Sequence, residues 1–265
     1  RLQTLVSPFV LRRVKEDVVA DLPEKIEDTV MAQLTGEQRK LYLANQDRIA
    51  QQVQHREASE FKKDKLKVLA ELTKLRQICC DPRLHYEDYK AGSAKLDTCM
   101  ELVHGALDGG HRILLFSQFT GMLDIISKRL AKEDIAFLKL TGASSKESRA
   151  KMVAQFQAGE VPVFLISLKA GGVGLNLTAA DVVIHYDPWW NVAAQDQATD
   201  RAHRIGQQHT VTVYKLIAKD TIEERIMQMQ ESKRDLVNSV LGGDGISSAL
   251  FTREDVLALL GGDGR

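Results

Sequence analysis

The chain has 265 residues, of which 44% are hydrophobic, and it carries 36 basic and 36 acidic residues. A chain of this length accommodates one large domain, or a domain with a sizeable appendage. Proteins that grip nucleic acid through an open basic face usually carry net positive charge, so the zero net charge argues against a constitutive, high-affinity DNA binder but not against a local basic strip.

The cysteines and the hydropathy pattern restrict the class of protein further. Cys79, Cys80 and Cys99 form no C-x-x-C pair and stand near no histidine cluster, so we expect neither a zinc site nor disulfides, and a reducing compartment. No apolar run reaches the ~18 residues of a membrane span, so no membrane partner is expected. The sequence opens with RLQTLVSPFV and has no initiator Met, which predicts a part of a longer protein.

The first third of the chain is predicted to contain a connector and a pair of helices. LPEKIEDTVMAQL predicts a turn followed by one strand, and the spacing of Thr35 and Gln38 is typical of a capping box at a helix start. From Glu37 to Cys80 the pattern is long, charged and helical, which predicts a helical hairpin. Asp81-Pro82 ends it, and the polar loop at 86–93 marks a domain boundary.

From residue 94 onward, helices and strands alternate. The strands are near-continuous apolar runs, as expected for parallel strands that are buried on both faces, so the pattern predicts an α/β layered domain. We expect helices at 94–108, 121–132, 146–156 and 221–240, strands at 112–116, 136–140, 162–166, 182–186 and 211–217, and a loosely docked tail with a short helix at 253–260.

Polar or flexible residues follow four consecutive strands, at the carboxyl ends where such sheets bind ligands. Each group alone is typical of an ordinary helix cap or turn, but their conjunction indicates a phosphate-bearing ligand. The four groups are Ser117-Gln118, Thr141-Gly142, a glycine-rich turn with Lys169, Gly171, Gly172, Gly174 and Asn176, and DPWWN with Trp190.

The segment Gln195–Gln207 is predicted to be a helix with two guanidinium groups on one face. Arg201 and Arg204 lie one turn apart, and Gln197 and Asp200 precede them on the same face. Small apolar residues repeat on another face, namely Ala198, Ala202 and Ile205. Most such faces are solvated and salt-bridged. Because four phosphate-compatible strand ends precede it, we favour an arginine pair that meets a nucleotide triphosphate.

Four stretches resemble, in order and spacing, the C-terminal helicase motifs of SWI/SNF-type ATPases, which are DNA translocases of helicase superfamily two. The SLKAGG stretch and the two adjacent Trp residues are similar to bacterial members of this family. The four stretches are ILLFSQF, KLTGASSKESR, VFLISLKAGGVGLNLTAADVVIHYDPWWN and QATDRAHRIGQ. The resemblance implies a RecA-like parallel sheet flanked by helices. It divides the chain into an inter-lobe linker (1–36), a helical protrusion (37–92), a RecA-like C-terminal helicase lobe (93–219), a bracing helix (220–240) and a tail (241–265).

The resemblance also implies roles for the residues at the strand ends. In this family a first lobe holds ATP and Mg²⁺, and the second supplies arginine fingers, here Arg201 and Arg204. Double-stranded DNA, the first lobe and a nucleoprotein target are the implied partners. Gln197, Gly171, Gly172 and Gly174 would lie near ATP, and Ser117, Gln118, Thr141, Gly142, Lys169, Asn176 and Trp190 would lie along DNA, with no metal ligand in this chain.

Two departures and two alternatives accompany this interpretation. Leu168-Lys169 stands where the family often has Thr-Arg, and Val192 where it often has Pro. The chain has no GxxxxGK[ST] loop, so by itself it is expected to hydrolyse no ATP and to hold no cofactor tightly. The alternatives are a non-catalytic nucleic-acid-binding or regulatory lobe and an RNA-directed helicase. A bacterial protein would work in the cytoplasm or nucleoid, and a eukaryotic one in the nucleus.

Overall fold

The computed structural model describes residues 22–55, 58–168, 170, 174–189, 192–230 and 252–261. Most of the predicted linker, Lys169, Gly171, Gly172 and Trp190 therefore lie outside the described residues, as do the last part of the predicted bracing helix and most of the tail.

Six parallel strands form one sheet, in the spatial order β1-β6-β5-β2-β4-β3. The three central strands β5, β2 and β4 are buried along their whole length, as their continuous apolar runs predicted. The strands are β1 (Lys25–Gln33), β2 (Ile113–Ser117), β3 (Phe137–Leu140), β4 (Val163–Ser167), β5 (Val182–His185) and β6 (Val211–Lys219).

Helices cover both faces of this sheet, and each face has its own apolar core. One core joins α3 and α4 to the sheet, and the opposite core joins α5 and α6. A third cluster lies between the protrusion and the C-terminal helices. The helices are α1 (Gly36–Gln54), α2 (Ala58–Cys80), α3 (Ala94–Asp108), α4 (Thr120–Lys132), α5 (Lys146–Gln157), α6 (Val192–Thr199), α7 (222–230) and α8 (Arg253–Leu259), with a short 3₁₀ turn (Pro82–Leu84) after α2.

The predicted RecA-like arrangement, a parallel sheet flanked by helices, is confirmed. Helix α3 begins and ends where predicted. Its start is fixed by Ser93, which caps the first turn by accepting a hydrogen bond from the Leu96 N–H. The strand predicted within the linker is β1, and it pairs with β6 over its full length. The first part of the chain therefore supplies an edge strand to the sheet of the lobe.

The predicted capping box at α1 is wrong. The Thr35 side chain makes no capping hydrogen bond. The Gln38 amide instead donates to the Ile78 carbonyl (3.0 Å) and accepts from the Ala94 N–H (3.1 Å). These backbone groups lie at the buried end of α2 and start of α3, where an unpaired polar group costs about 1–3 kcal/mol, so Gln38 joins the protrusion to the lobe.

The predicted short helix in the tail is confirmed as α8, but its packing differs from the expected loose docking. Thr252 and Asp255 form a capping box, and Val256 and Leu259 are buried. The Gln46 side chain of α1 donates to the Leu260 carbonyl at 2.6 Å. The described part of the tail is therefore packed against the protrusion.

Candidate functional site

The loops that follow β2 and β5 share one buried carboxylate. Asp187, immediately beyond β5, accepts hydrogen bonds from the Ser117 hydroxyl and from the Gln118 N–H (3.2 Å). Ser117 is fully buried, and its Oγ also accepts from the Phe119 N–H at 3.1 Å. The Ser117 hydroxyl is thus used within the chain, where it fixes the carboxyl edge. Sequence reasoning did not assign this role to Asp187, although an aspartate directly after a buried strand was a usable signal.

Gln118 is half-buried at the same edge. Its Oε1 accepts a hydrogen bond from the Arg76 guanidinium at 3.3 Å. Its Nε2 is enclosed and has no hydrogen-bond partner among the described residues. An enclosed, unpaired donor costs free energy. The contact with Arg76 is therefore the hydrogen bond that orients this amide among the described residues.

The loop after β3 presents Thr141 and Gly142 beside the amino terminus of α5. Gly142 is exposed, and a Cβ at this position would meet no atom within 4 Å. The Thr141 hydroxyl accepts from the Ala143 N–H at 3.3 Å, and Ser145 caps α5 by accepting from the Ser148 N–H at 3.1 Å. The start of this helix is open to an approaching anion.

The described end of the glycine-rich turn lies against the arginine segment. Gly174 is exposed and has a φ of +33°, in the left-handed region that favours glycine, and Asn176 is exposed. The Leu177 N–H donates to the Arg201 carbonyl at 3.0 Å, and Arg204 Nη1 donates to the Leu175 carbonyl at 3.4 Å. The structure therefore brings together the glycine-rich turn and the two arginines that the sequence proposed.

The prediction that Arg201 and Arg204 lie on one continuous helix is wrong. Helix α6 ends at Thr199, and both arginines follow it in a series of turns. The Arg201 carbonyl is bonded to the neighbouring turn and not to the next helical turn, and Gly206 adopts a φ of +100° that ends helical geometry. The expected apolar side is confirmed for Ala198 and Ala202, which are buried against the sheet. It is wrong for Ile205, which is 74% exposed because the chain has left helical geometry before this residue.

The arginine segment lies towards the amino ends of the strands. His203 Nε2 lies 2.7 Å from the carbonyl of Pro23, which precedes β1, and the Gln207 side chain donates to the carbonyl of Ala180 (2.7 Å), which precedes β5. Helix α6 thus carries the chain from the carboxyl end of β5 back towards the amino ends of the strands. The candidate residues form two surfaces, one at the carboxyl edge and one around the arginines.

Arg201 lies in an environment that disfavours its charge. Its side chain lies in a residue that is only 8% exposed. Burial and, as the second cause, the charge of Arg204 lower the pKa of Arg201, and the charge of Asp200 opposes this shift only in part. Its Nε is buried and has no hydrogen-bond partner among the described residues. By contrast, Gln197 is exposed. A buried, incompletely satisfied guanidinium beside a second one is suited to an incoming anion.

His185 contacts Thr199, the last residue of α6. Its Nε2 lies 2.8 Å from the Thr199 hydroxyl, and its ring stacks on Phe116 with the centroids 5.5 Å apart. Burial, with the charge of Lys215 as the second cause, lowers the pKa of His185 from 6.5 to about 3. The imidazole is therefore neutral at pH 7, and it fixes the residue from which the arginine segment starts.

The neutral His185 predicts an acid-sensitive fold. The unfolded chain takes up a proton near pH 6.5 that the folded chain excludes down to about pH 3, so stability falls as pH drops through this window. Between pH 7 and pH 5 this group alone should remove about 2 kcal/mol from the free energy of unfolding. Urea titrations at both pH values check this in the unmodified chain and in His185→Gln, which keeps a donor towards Thr199. Equal losses in the two proteins would contradict the assignment.

Neither a metal-ligand cluster nor a membrane-spanning helix lies in the described part of the chain. Within the described ranges, no group of three or more His, Cys, Asp or Glu side chains is placed to hold a metal ion. No helix in that part of the chain is long and apolar enough to cross a membrane. The three cysteines are buried free thiols, and burial raises the pKa of Cys99 to about 12.

Comparison with protein families and curated proteins gives a consistent result. The helicase conserved C-terminal domain matches residues 94–206, and the SNF2-related domain matches residues 1–84. An "uncharacterized ATP-dependent helicase" of Mycoplasma pneumoniae is 40% identical over 260 residues, which are 97% of this chain and 25% of that protein. The chain thus spans about a quarter of the length of this relative.

Solved structures give the same result for the fold. A Sulfolobus solfataricus SWI2/SNF2 ATPase core in complex with double-stranded DNA is 36% identical, with a TM-score of 0.75 over 97% of this chain and 55% of that one. The C-terminal domain of the S. solfataricus SWI2/SNF2 ATPase, solved separately, is 32% identical, with a TM-score of 0.72 over 89% of this chain and 98% of that one.

Proposed function

Because this chain belongs to the SWI2/SNF2 family, in which it corresponds to the C-terminal helicase domain, we propose that it is the second lobe of an ATP-dependent double-stranded-DNA translocase. Arg201 and Arg204 would act as arginine fingers on ATP that a first, N-terminal lobe holds. The single observation that carries this proposal is the Arg201 guanidinium, which is buried beside a second arginine and whose Nε has no hydrogen-bond partner among the described residues.

The chemistry of the arginine surface supports this role. Charge develops on the transferring phosphoryl group, and a guanidinium that is already desolvated and fixed stabilises it without reorganisation. Gly174 lies on the adjoining turn, where an exposed backbone leaves room for a ligand. The described residues offer cationic donors for a triphosphate, and we assign the Mg²⁺ that would neutralise phosphate charge to the first lobe.

The carboxyl edge is the proposed surface for the DNA backbone. Gln118 follows β2 there, and Thr141 and Gly142 follow β3, with β4 between these two strands. Gly142 shortly precedes α5, whose first N–H groups favour anions. Contacts to phosphates position a duplex without reading its sequence, which suits a translocase. Since the two surfaces are separate, closure of the lobes around ATP at one would move the DNA held at the other.

ATP hydrolysis with and without duplex DNA tests the proposal. The chain alone is expected to be inactive, because a complete phosphate-binding loop is absent from its sequence. The two-lobed protein, in which this chain follows a lobe with the Walker motifs, is expected to show DNA-stimulated turnover. Turnover by the chain alone would reveal a complete nucleotide site and contradict the division of labour. A folded two-lobed protein that stays inactive with DNA would support a regulatory lobe instead.

A further inference from the structure

Arg76 of the protrusion extends into the carboxyl edge of the lobe. It lies on α2 and is 2% exposed. Its Nη1 donates to Gln118 Oε1 at 3.3 Å, and its Nη2 donates to the Pro188 carbonyl. The guanidinium carbon lies 5.7 Å from the centre of the Phe119 ring. A buried cation is costly unless it is well bonded, and these contacts satisfy two of its three nitrogens.

The two acceptors of Arg76 belong to different loops. Gln118 follows β2 and Pro188 follows β5, and these strands are neighbours in the sheet. The same loops are joined from within the lobe by the Asp187 carboxylate. A planar guanidinium can donate in two fixed directions at once, which the single ammonium of a lysine does not do. Arg76 is therefore a bridge from one helix of the protrusion to two loops of the lobe.

We propose that Arg76 is a positioning residue for DNA engagement: it fixes the Gln118 amide and the loop after β5 relative to the protrusion. This inference rests on the proposed function, since it assigns a purpose to an edge that is proposed to contact DNA. With Oε1 held by Arg76 and Nε2 enclosed, the orientation of the Gln118 amide is set. The protrusion thereby controls the geometry of the DNA edge without touching DNA.

A double-mutant cycle on the two-lobed protein tests this inference. The DNA concentration that gives half-maximal stimulation of ATP turnover is measured for Arg76→Lys, Gln118→Ala and the double variant. Each single change is expected to raise it about ten-fold, and the double variant should match the single ones because both changes remove one shared contact. The KM for ATP should change less than two-fold. Arg48→Lys is the matched control, since Arg48 lies on α1 and pairs only with Glu71 of α2 among the described residues, and it should change neither value.

The outcomes separate this inference from the proposed function. If Gln118→Ala weakens DNA stimulation while Arg76→Lys has no effect or adds independently, the positioning role is wrong and the DNA edge stands. If DNA does not stimulate the unmodified two-lobed protein, the proposed function itself fails. Equal shifts in the KM for ATP and in the DNA requirement would indicate a general structural defect and overturn the inference.

A measurement on the unmodified chain covers the case in which Arg76→Lys does not fold. The ¹⁵N order parameter of the Gln118 side-chain amide reports whether this side chain is fixed before DNA is added. The inference expects a value close to that of the rigid backbone, with Gln197, which is exposed on α6, as the mobile reference. A Gln118 amide as mobile as that of Gln197 would overturn it.

Discussion

Arg201→Ala in the two-lobed protein is expected to lower DNA-stimulated ATP turnover by about 10³-fold while the chain stays folded. An arginine finger contributes by stabilising the charge of the transition state, and effects of 10³ or more are typical when it is removed. The readout is kcat at saturating ATP and DNA. Arg204→Ala should act in the same direction, since the Arg204 guanidinium adjoins the glycine-rich turn and its charge acts on Arg201.

The stability of the same variant distinguishes a catalytic role from a structural one. Burial lowers the pKa of Arg201, which means that the folded chain disfavours this charge. Arg201→Ala should therefore leave the midpoint of urea unfolding unchanged or slightly higher. Arg129→Ala is the matched control, because Arg129 forms a partly exposed pair with Glu133 on α4, and such pairs contribute at most about 1 kcal/mol. Undiminished turnover in both Arg201→Ala and Arg204→Ala would show that the finger assignment is wrong.

The sheet was predictable because its information is local. Each central strand is a continuous apolar run that only a position buried on both faces explains, and Ser93 marks the start of α3 with a side chain suited to capping. The order of the strands was not predictable from these runs. In particular, β1 pairs with β6, where Lys25 lies opposite Val211, 186 residues later in the chain. No local pattern predicts such a pairing.

The errors arose where long-range hydrogen bonds override local preference. The sequence of the arginine segment is compatible with a helix, but the Leu177 N–H donates a hydrogen bond to the Arg201 carbonyl. The Gln207 side chain donates to the carbonyls of Ala180 and Ala202. The spacing of Thr35 and Gln38 fits a capping box, but Gln38 satisfies the end of α2 instead. In each case the deciding partner lies outside the window in which a motif is recognised.

The same limit applies to the candidate site. The conjunction of polar and flexible residues at four strand ends made Gln118 a candidate, and the spacing of Arg201 and Arg204 made the arginines candidates. Sequence reasoning did not identify Arg76 or Asp187 as partners of Gln118. They lie 42 and 69 residues away from it in the chain, and each is an ordinary charged residue in its own segment. Only the fold shows that these two buried charges hold one edge together.

Lys95 and Glu223 form a fully buried ion pair between α3 and α7, with Nζ–Oε distances of 2.6 and 2.8 Å. Glu223 also accepts from the Ala218 N–H at 2.9 Å, and Lys95 lies 5.2 Å from the centre of the Tyr186 ring. Burial alone would lower the pKa of Lys95, but the attraction of Glu223 outweighs it and the pKa is raised. Lys95 thus stays charged at neutral pH, and its contact with Glu223 ties the helix after β6 to the first helix of the lobe.

Removing one partner of this pair is expected to destabilise the chain strongly. Lys95→Met or Glu223→Leu alone leaves a buried charge without its partner, and we expect each to lower the free energy of unfolding by about 3–5 kcal/mol. Lys95→Met/Glu223→Leu leaves neither charge, so it should recover most of that loss, and urea unfolding at pH 7 measures all three variants. Similar losses in the single variants and no recovery in the double one would show that packing, and not charge pairing, holds α7 in place. Recovery would mean that the pair selects one docking geometry for α7 more than it adds stability, because an apolar pair of similar volume would then serve the fold equally well.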